Sequence, residues 1–159
     1  MKNTFLYSFL IMLSFSLMSA TCSSDDDDPA NDNSQEIIEI ENTAESGTWI
    51  ISSYVDSGQD ETNDFNGYVF TFGNDGTVTA TNGTTSYNGT WSITDSDSSD
   101  DSSSDDDIDF NLSFPVPESN DFDDLNDDWD IVSYSSNTIS LIDVSGGNGE
   151  TDTLVFQKN

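Results

Sequence analysis

From Gly47 onward, apolar and polar residues alternate with a period of two. The clearest run is Ile108, Phe110, Leu112 and Phe114, interleaved with Asp109, Asn111 and Ser113, an apolar face backed by a wet one. Tyr68, Phe70 and Phe72 follow the same rule, as do Tyr87, Trp91 and Ile93 around Gly89. Eight runs of this kind, each bounded by Gly, Asn, Asp or Pro, read as strands at roughly 48–55, 67–73, 76–81, 85–93, 108–114, 129–135, 137–144 and 151–157. Connections such as Gly73-Asn74-Asp75-Gly76, Asn82-Gly83 and Gly146-Gly147-Asn148-Gly149 tolerate positive φ, so tight hairpins should join neighbouring strands. Short consecutive antiparallel strands must hide their edges, and closure into an up-and-down barrel does so completely. The expected fold is all-β, a single antiparallel up-and-down eight-stranded barrel, with a β-sandwich as the alternative. One stretch has helical spacing: Phe122, Leu125 and Trp129 lie three and four apart.

The first 46 residues do not alternate. Lys2 precedes an apolar run from Phe5 to Met18, too short for a comfortable membrane span, and Ser19, Ala20 and Thr21 lead to Cys22, the only cysteine. This passage resembles a bacterial lipoprotein signal, in which the chain is cut before the cysteine and the thiol is acylated. Ser19 stands where that family's lipobox prefers a leucine-like residue. The alternative is a secretory signal cut after Ala20, leaving a free thiol. The run Ser23, Ser24, Asp25, Asp26, Asp27 and Asp28 resembles the surface-export signal of flavobacterial-type lipoproteins; the alternative is a solvated linker. The resemblance implies a protein on the outer membrane, held by a lipid anchor at Cys22 and facing the exterior. The organisation is then a signal peptide at 1–21, an acidic flexible tether at 22–46 and the barrel domain at 47–159. Within the tether, Ile37, Ile38 and Ile40 form an apolar island that docks on the domain, starts a short helix or stays a partly ordered linker.

Charge removes several function classes. The chain carries 32 acidic residues against two lysines and no arginine, a net charge of −30. Nothing here can neutralise phosphates, so nucleic acid is excluded as a partner. There is no histidine, which removes triads, histidine metal sites and the commonest general base. No phosphate-binding loop occurs, and an enzyme is not expected. The remaining chemistry is acidic. The long polar loop from Asp95 to Asp107 opens with Asp95 and Asp97 in the spacing of a calcium loop, yet its sixth position is Asp100 rather than glycine. Asp95, Asp97, Asp100 and Asp101 are the candidate ligands for weak Ca²⁺ binding, in the ~10⁻⁴–10⁻³ M range of extracellular modules. The competing reading is a solvated loop with diffuse counterions, as for a second cluster of Asp121, Asp123, Asp124, Asp127 and Asp128. No other cofactor is expected.

Gly47-Thr48-Trp49, at the start of the first strand, looks like the Gly-x-Trp signature of lipocalins, and the region from Gly47 to Lys158 resembles the small lipocalin-like lipoproteins of flavobacterial-type bacteria. In lipocalins that tryptophan plugs the closed end of the barrel beneath an arginine from the last strand. Here Lys158 is the one cation in position to lie over Trp49. Gly89-Thr90-Trp91 repeats the Gly-Thr-Trp triplet, and Trp49, Ile51, Ser53 and Tyr54 match Trp129, Ile131, Ser133 and Tyr134 in spacing. Similar strands in similar environments produce such echoes without duplication. The resemblance implies a lipocalin-like barrel that takes a small, partly apolar molecule, uncharged or cationic, as an accessory to uptake. The candidate pocket walls are Trp49, Tyr68, Phe70, Phe72, Tyr87, Trp91, Phe110, Phe114 and Trp129, with Ser53, Ala80, Gly89 and Ser133 leaving room between them. The alternative is a non-catalytic structural or adhesive surface module whose barrel is solid, the small residues serving the small-against-large alternation of a filled core, with acidic loops that meet Ca²⁺ or a protein partner.

Overall fold

A computed structural model describes residues 33–96, 107–144 and 151–159. One helix, α1 (Ser34–Glu45), precedes nine strands: β1 (Trp49–Asp56), β2 (Gln59–Asp60), β3 (Val69–Phe72), β4 (Thr77–Thr81), β5 (Ser86–Ser96), β6 (Asp107–Ser113), β7 (Asp127–Tyr134), β8 (Thr138–Asp143) and β9 (Asp152–Lys158). Each strand from β3 onward pairs antiparallel with its successor, and β1 pairs with both β3 and β9, which closes an eight-stranded up-and-down barrel. The two-residue β2 is a hairpin folded back on β1. The alternation rule holds because every strand has one face inside this closed sheet and one in water.

Strand direction sorts the connections into two ends. Trp49 and Lys158 are paired at one end, here the floor, with the β3–β4 and β7–β8 turns. The other end, the mouth, carries the β1–β2 turn, a 3₁₀ turn at Thr62–Phe65, the β4–β5 hairpin and the 114–126 connection with a second 3₁₀ turn at Asp123–Leu125. The helical spacing of Phe122, Leu125 and Trp129 therefore yields a single 3₁₀ turn, and β7 takes over at Asp127. Asn126 explains the stop. Its amide exchanges two hydrogen bonds with the backbone of Phe114, its Nδ2 reaching Phe114 O at 3.1 Å, so the chain is tied to the end of β6 before a second turn can form.

α1 closes the floor. Ile37, Ile40 and Ala44 lie three and four apart on one face, and Ile40 and Ala44 are fully buried while Ile38 points outward. The stretch expected to be a flexible tether thus ends in a docked helix, which joins two of the three outcomes open for the isoleucine island. Trp49 Nε1 donates to Ala44 O at 2.8 Å, and Glu39 accepts from Tyr134 OH at 3.4 Å, which ties the helix to β1 and β7. Lys158 Nζ lies 5.2 Å from the centre of the Trp49 ring and donates to Ser46 Oγ at 2.6 Å. The lysine therefore lies over Trp49, as expected of it. The other tryptophans latch connections in the same way: Trp91 Nε1 donates to Gly73 O and Trp129 Nε1 to Leu125 O.

The internal echo has a structural counterpart. β1 slips register against β9 between Ile51 and Ser53, and β7 slips against β8 between Ile131 and Ser133. In both strands the extra residue makes a bulge, which bends the strand and re-aims the side chains beyond it. After the β1 bulge Tyr54 rather than Ser53 turns into the core.

Candidate functional site

The residues nominated as pocket walls all face inward, and the structure presses them together. Phe72 on β3, Phe110 on β6 and Phe156 on β9 come from strands that do not pair with one another, spread around the circumference. Their ring centres nevertheless form a triangle of 5.4, 5.5 and 6.3 Å. Those rings meet on the barrel axis. Trp91 packs on Phe72 and Phe110 at 5.3 and 5.7 Å, and Phe70 on Phe156 at 5.3 Å, while Trp49 is fully buried over the floor helix. The ladder of rings between floor and mid-height is a filled core.

The small interior residues do not leave the room expected of them. A Cβ built on Gly89 would stand 2.3 Å from Ser113 O and 2.9 Å from Phe114 Cδ1, so the end of β6 already occupies that volume. Ala80 is fully buried, and Ser133, carried outward past the β7 bulge, is exposed.

At the mouth lie the remaining candidates, Tyr68, Tyr87, Phe114 and Trp129, the first three surrounding Phe122 from the 114–126 connection. Phe65 and Leu125 complete this layer, with Tyr54 6.4 Å from Trp129 and its hydroxyl donating to Asp124 O at 3.0 Å. Burial raises the Tyr54 hydroxyl well above the ordinary range, helped by neighbouring carboxylates, so it stays a donor at any physiological pH. Alternation in β9 could have nominated Phe156. Phe65 sits in a turn, where no periodic signal marks it, and the helical spacing that marks Phe122 does not point to the barrel interior.

Acidic side chains crowd the rim. The carboxyls of Glu61 and Asp124 are both pushed upward, by burial first and then by Asp56 and further carboxylates from the adjoining turns. Among the described residues no group of three or more acidic or cysteine side chains is placed to hold a metal ion. Of the calcium candidates, Asp95 lies in β5 opposite Ile108 and accepts from Asn33 Nδ2 at 3.2 Å; Asp97, Asp100 and Asp101 lie outside the described residues. So do Cys22, the Ser23–Asp28 run and the apolar segment before them. No helix among the described residues is long and apolar enough to cross a membrane.

Outside the sheet, a cleft of about 740 Å³ runs along β5, β6 and β7, lined by Thr90, Ser92, Asn111, Ser113, Asp127 and Asp128 among others. Half-burial, then Asp128 beside it, raises the Asp127 carboxyl from its usual 3.8 to about 6. The folded protein therefore binds this proton more tightly than the unfolded chain. Stability should be greatest when Asp127 is protonated, and should fall as pH rises through about 4 to 6. The melting temperature is expected to be higher at pH 5 than at pH 7.5, with Asp127→Asn raising it at pH 7.5 and flattening the profile. A profile unchanged by that substitution would assign the pH dependence to the overall charge.

Among solved structures, the chain is similar to a DUF4847 family protein from Bacteroides vulgatus ATCC 8482. The two are 18% identical over 76% of this chain and 97% of that chain, with a TM-score of 0.45. No protein-family model matches the chain, and no curated protein is similar to it in sequence.

Proposed function

We propose that this chain is a lipid-anchored outer-membrane surface protein whose barrel is a solid, non-catalytic structural or adhesive module. The observation that carries the reading is the triangle of Phe72, Phe110 and Phe156, three side chains from mutually distant strands whose rings meet on the barrel axis. A lipocalin-type ligand would need that space. The isolated thiol of Cys22 after an apolar segment supports the anchor, because an exposed unpaired cysteine is otherwise prone to oxidation and mispairing. The absence of histidine and the lone cysteine's place at the anchor support a non-catalytic role. The acidic surface, with a net charge of −30, supports partners that are proteins or cations rather than anionic lipids or nucleic acid.

Two measurements test this. Cells grown with a clickable fatty acid should label the parent protein and not Cys22→Ser; equal labelling ends the anchor claim. Tryptophan emission of the parent should show no saturable change with apolar probes that report on the floor half of the barrel, through Trp49 and Trp91. A second reading, binding of a small apolar molecule, is favoured only at the mouth, where the plugging ring comes from a connection.

A further inference from the structure

Phe122 enters the mouth from the connection between β6 and β7. Its ring centre lies 4.3 Å from that of Tyr87, 4.9 Å from Tyr68, 5.1 Å from Phe114, 5.5 Å from Phe65 and 6.0 Å from Phe70. The arrangement is a box for one flat ring, with edges and faces presented in the offset and T-shaped geometries that aromatic pairs prefer. The box walls are set by β3, β5, the end of β6 and the 62–65 turn. The ring inside belongs to a connection and is attached to none of the sheet's ladders.

The connection is held by two buried side chains, Phe122 and Leu125, by the bond from Trp129 Nε1 to Leu125 O, and by further polar contacts. Asn120 Nδ2 donates to Tyr87 OH at 3.1 Å, Tyr54 OH donates to Asp124 O at 3.0 Å, and Asn126 clasps the Phe114 backbone at the segment's far end. Against them stands like charge. Asp124 on the connection feels Asp56 and Asp64 on the rim, so closure brings carboxylates together. Burial of Phe122 and Leu125 and part-buried hydrogen bonds hold the segment down, and like charge opposes them. None of these bonds belongs to a β ladder, so the segment opens without parting the strands, at a free energy below that of global unfolding.

We infer that residues 115–126 are a plug, and that the box of Phe65, Tyr68, Phe70, Tyr87 and Phe114 is a binding site for an uncharged single-ring aromatic molecule, occupied by Phe122 in its closed state. The ligand is a single ring because that is what the box encloses. It is uncharged because the walls are hydrocarbon and the rim's carboxylates repel anions. The two tyrosine hydroxyls at the outer edge offer a partner to a phenolic or amide substituent. Binding requires the open state, so its apparent affinity is lowered by the open fraction, and ligand draws the population toward open. The inference goes beyond the solid-barrel reading, which rests on the Phe156 layer below, and its failure leaves that reading intact.

Hydrogen exchange of the full wild-type chain, with and without water-saturating toluene, is the first test. Amides of 115–126 should exchange about tenfold or more faster than those of β5 and β6, and toluene should speed them further while leaving the strands unchanged. Protection equal to that of β5, or no response to toluene, overturns the plug. In Phe122→Ala, toluene should raise the melting temperature by several degrees, because an apolar vacancy of phenyl size binds such a ring. A folded Phe122→Ala that toluene does not stabilise overturns the ligand class. Stabilisation of that variant with the wild type unaffected means a created cavity only, and overturns the plug. Should Phe122→Ala not fold, Phe122→Leu keeps the apolar bulk without the flat ring, and is expected to exchange faster at 115–126 and bind toluene more tightly than wild type.

Discussion

Phe156→Ala should destabilise the domain by about 3–5 kcal/mol, the range for truncating a fully buried phenylalanine. Phe156 is wholly inaccessible, and its ring touches Phe70, Phe72 and Phe110 from three directions. No neighbouring side chain can relax into the gap, because the surrounding rings are themselves fixed by strands on opposite sides of the barrel. Domains of this kind are stable by about 5–15 kcal/mol, so the loss is a large fraction of the total and the variant is expected to melt far below the parent. Phe156→Leu, which keeps much of the volume, should be markedly milder. Urea titration of the three proteins gives the comparison, and a loss under about 1 kcal/mol for the alanine variant would mean that the axis is not packed as described.

Gly89→Ala should be nearly as damaging for the opposite reason. The added methyl would lie 2.3 Å from the carbonyl oxygen of Ser113, a backbone atom that no rotamer change can move. β5 and β6 pair at Thr90 and Ser113, so the overlap can be relieved only by parting the strands at that point. Overpacking of this kind typically takes about 1–3 kcal/mol, and more where backbone must shift. Asn88→Ala, one residue away on the wet face, is the control and should change stability little. Equal melting temperatures for Gly89→Ala and the parent would show that the β6 end yields freely.

Much of the barrel was legible because a strand with one face in a core and one in water must alternate, and alternation survives in sequence whatever the strand pairs with. The eight expected runs correspond to β1 and β3–β9. Trp49, Trp91 and Trp129 were recognisable as interior for the same reason, while Lys158 over Trp49 came from the lipocalin resemblance, which implies a cation from the last strand there. The inward direction of the pocket candidates was legible too. Their company was not. Alternation says that Phe72, Phe110 and Phe156 face the axis, but whether their rings meet there depends on barrel radius and on the heights at which three unpaired strands place them.

Other features escaped for local reasons. Ser53 fits the period-two pattern of β1, yet the bulge after Ile51 hands its interior place to Tyr54, and a bulge leaves no mark in the hydrophobic pattern. Gly89 signalled space, while the tertiary fold uses it for close approach of backbone. α1 carries only Ile37, Ile40 and Ala44 as its apolar stripe, too short to separate from an ordered linker until the barrel floor is there to receive it. By itself, then, the sequence determined the alternating faces, the succession of antiparallel strands and the chain's large negative charge, since these arise from burial and composition residue by residue, whereas the β1–β9 pairing closed the sheet. Only the tertiary structure decided that the axis is filled by rings from distant strands, that α1 seals the floor and that Phe122 plugs the mouth, because each depends on distances between segments that no local pattern encodes.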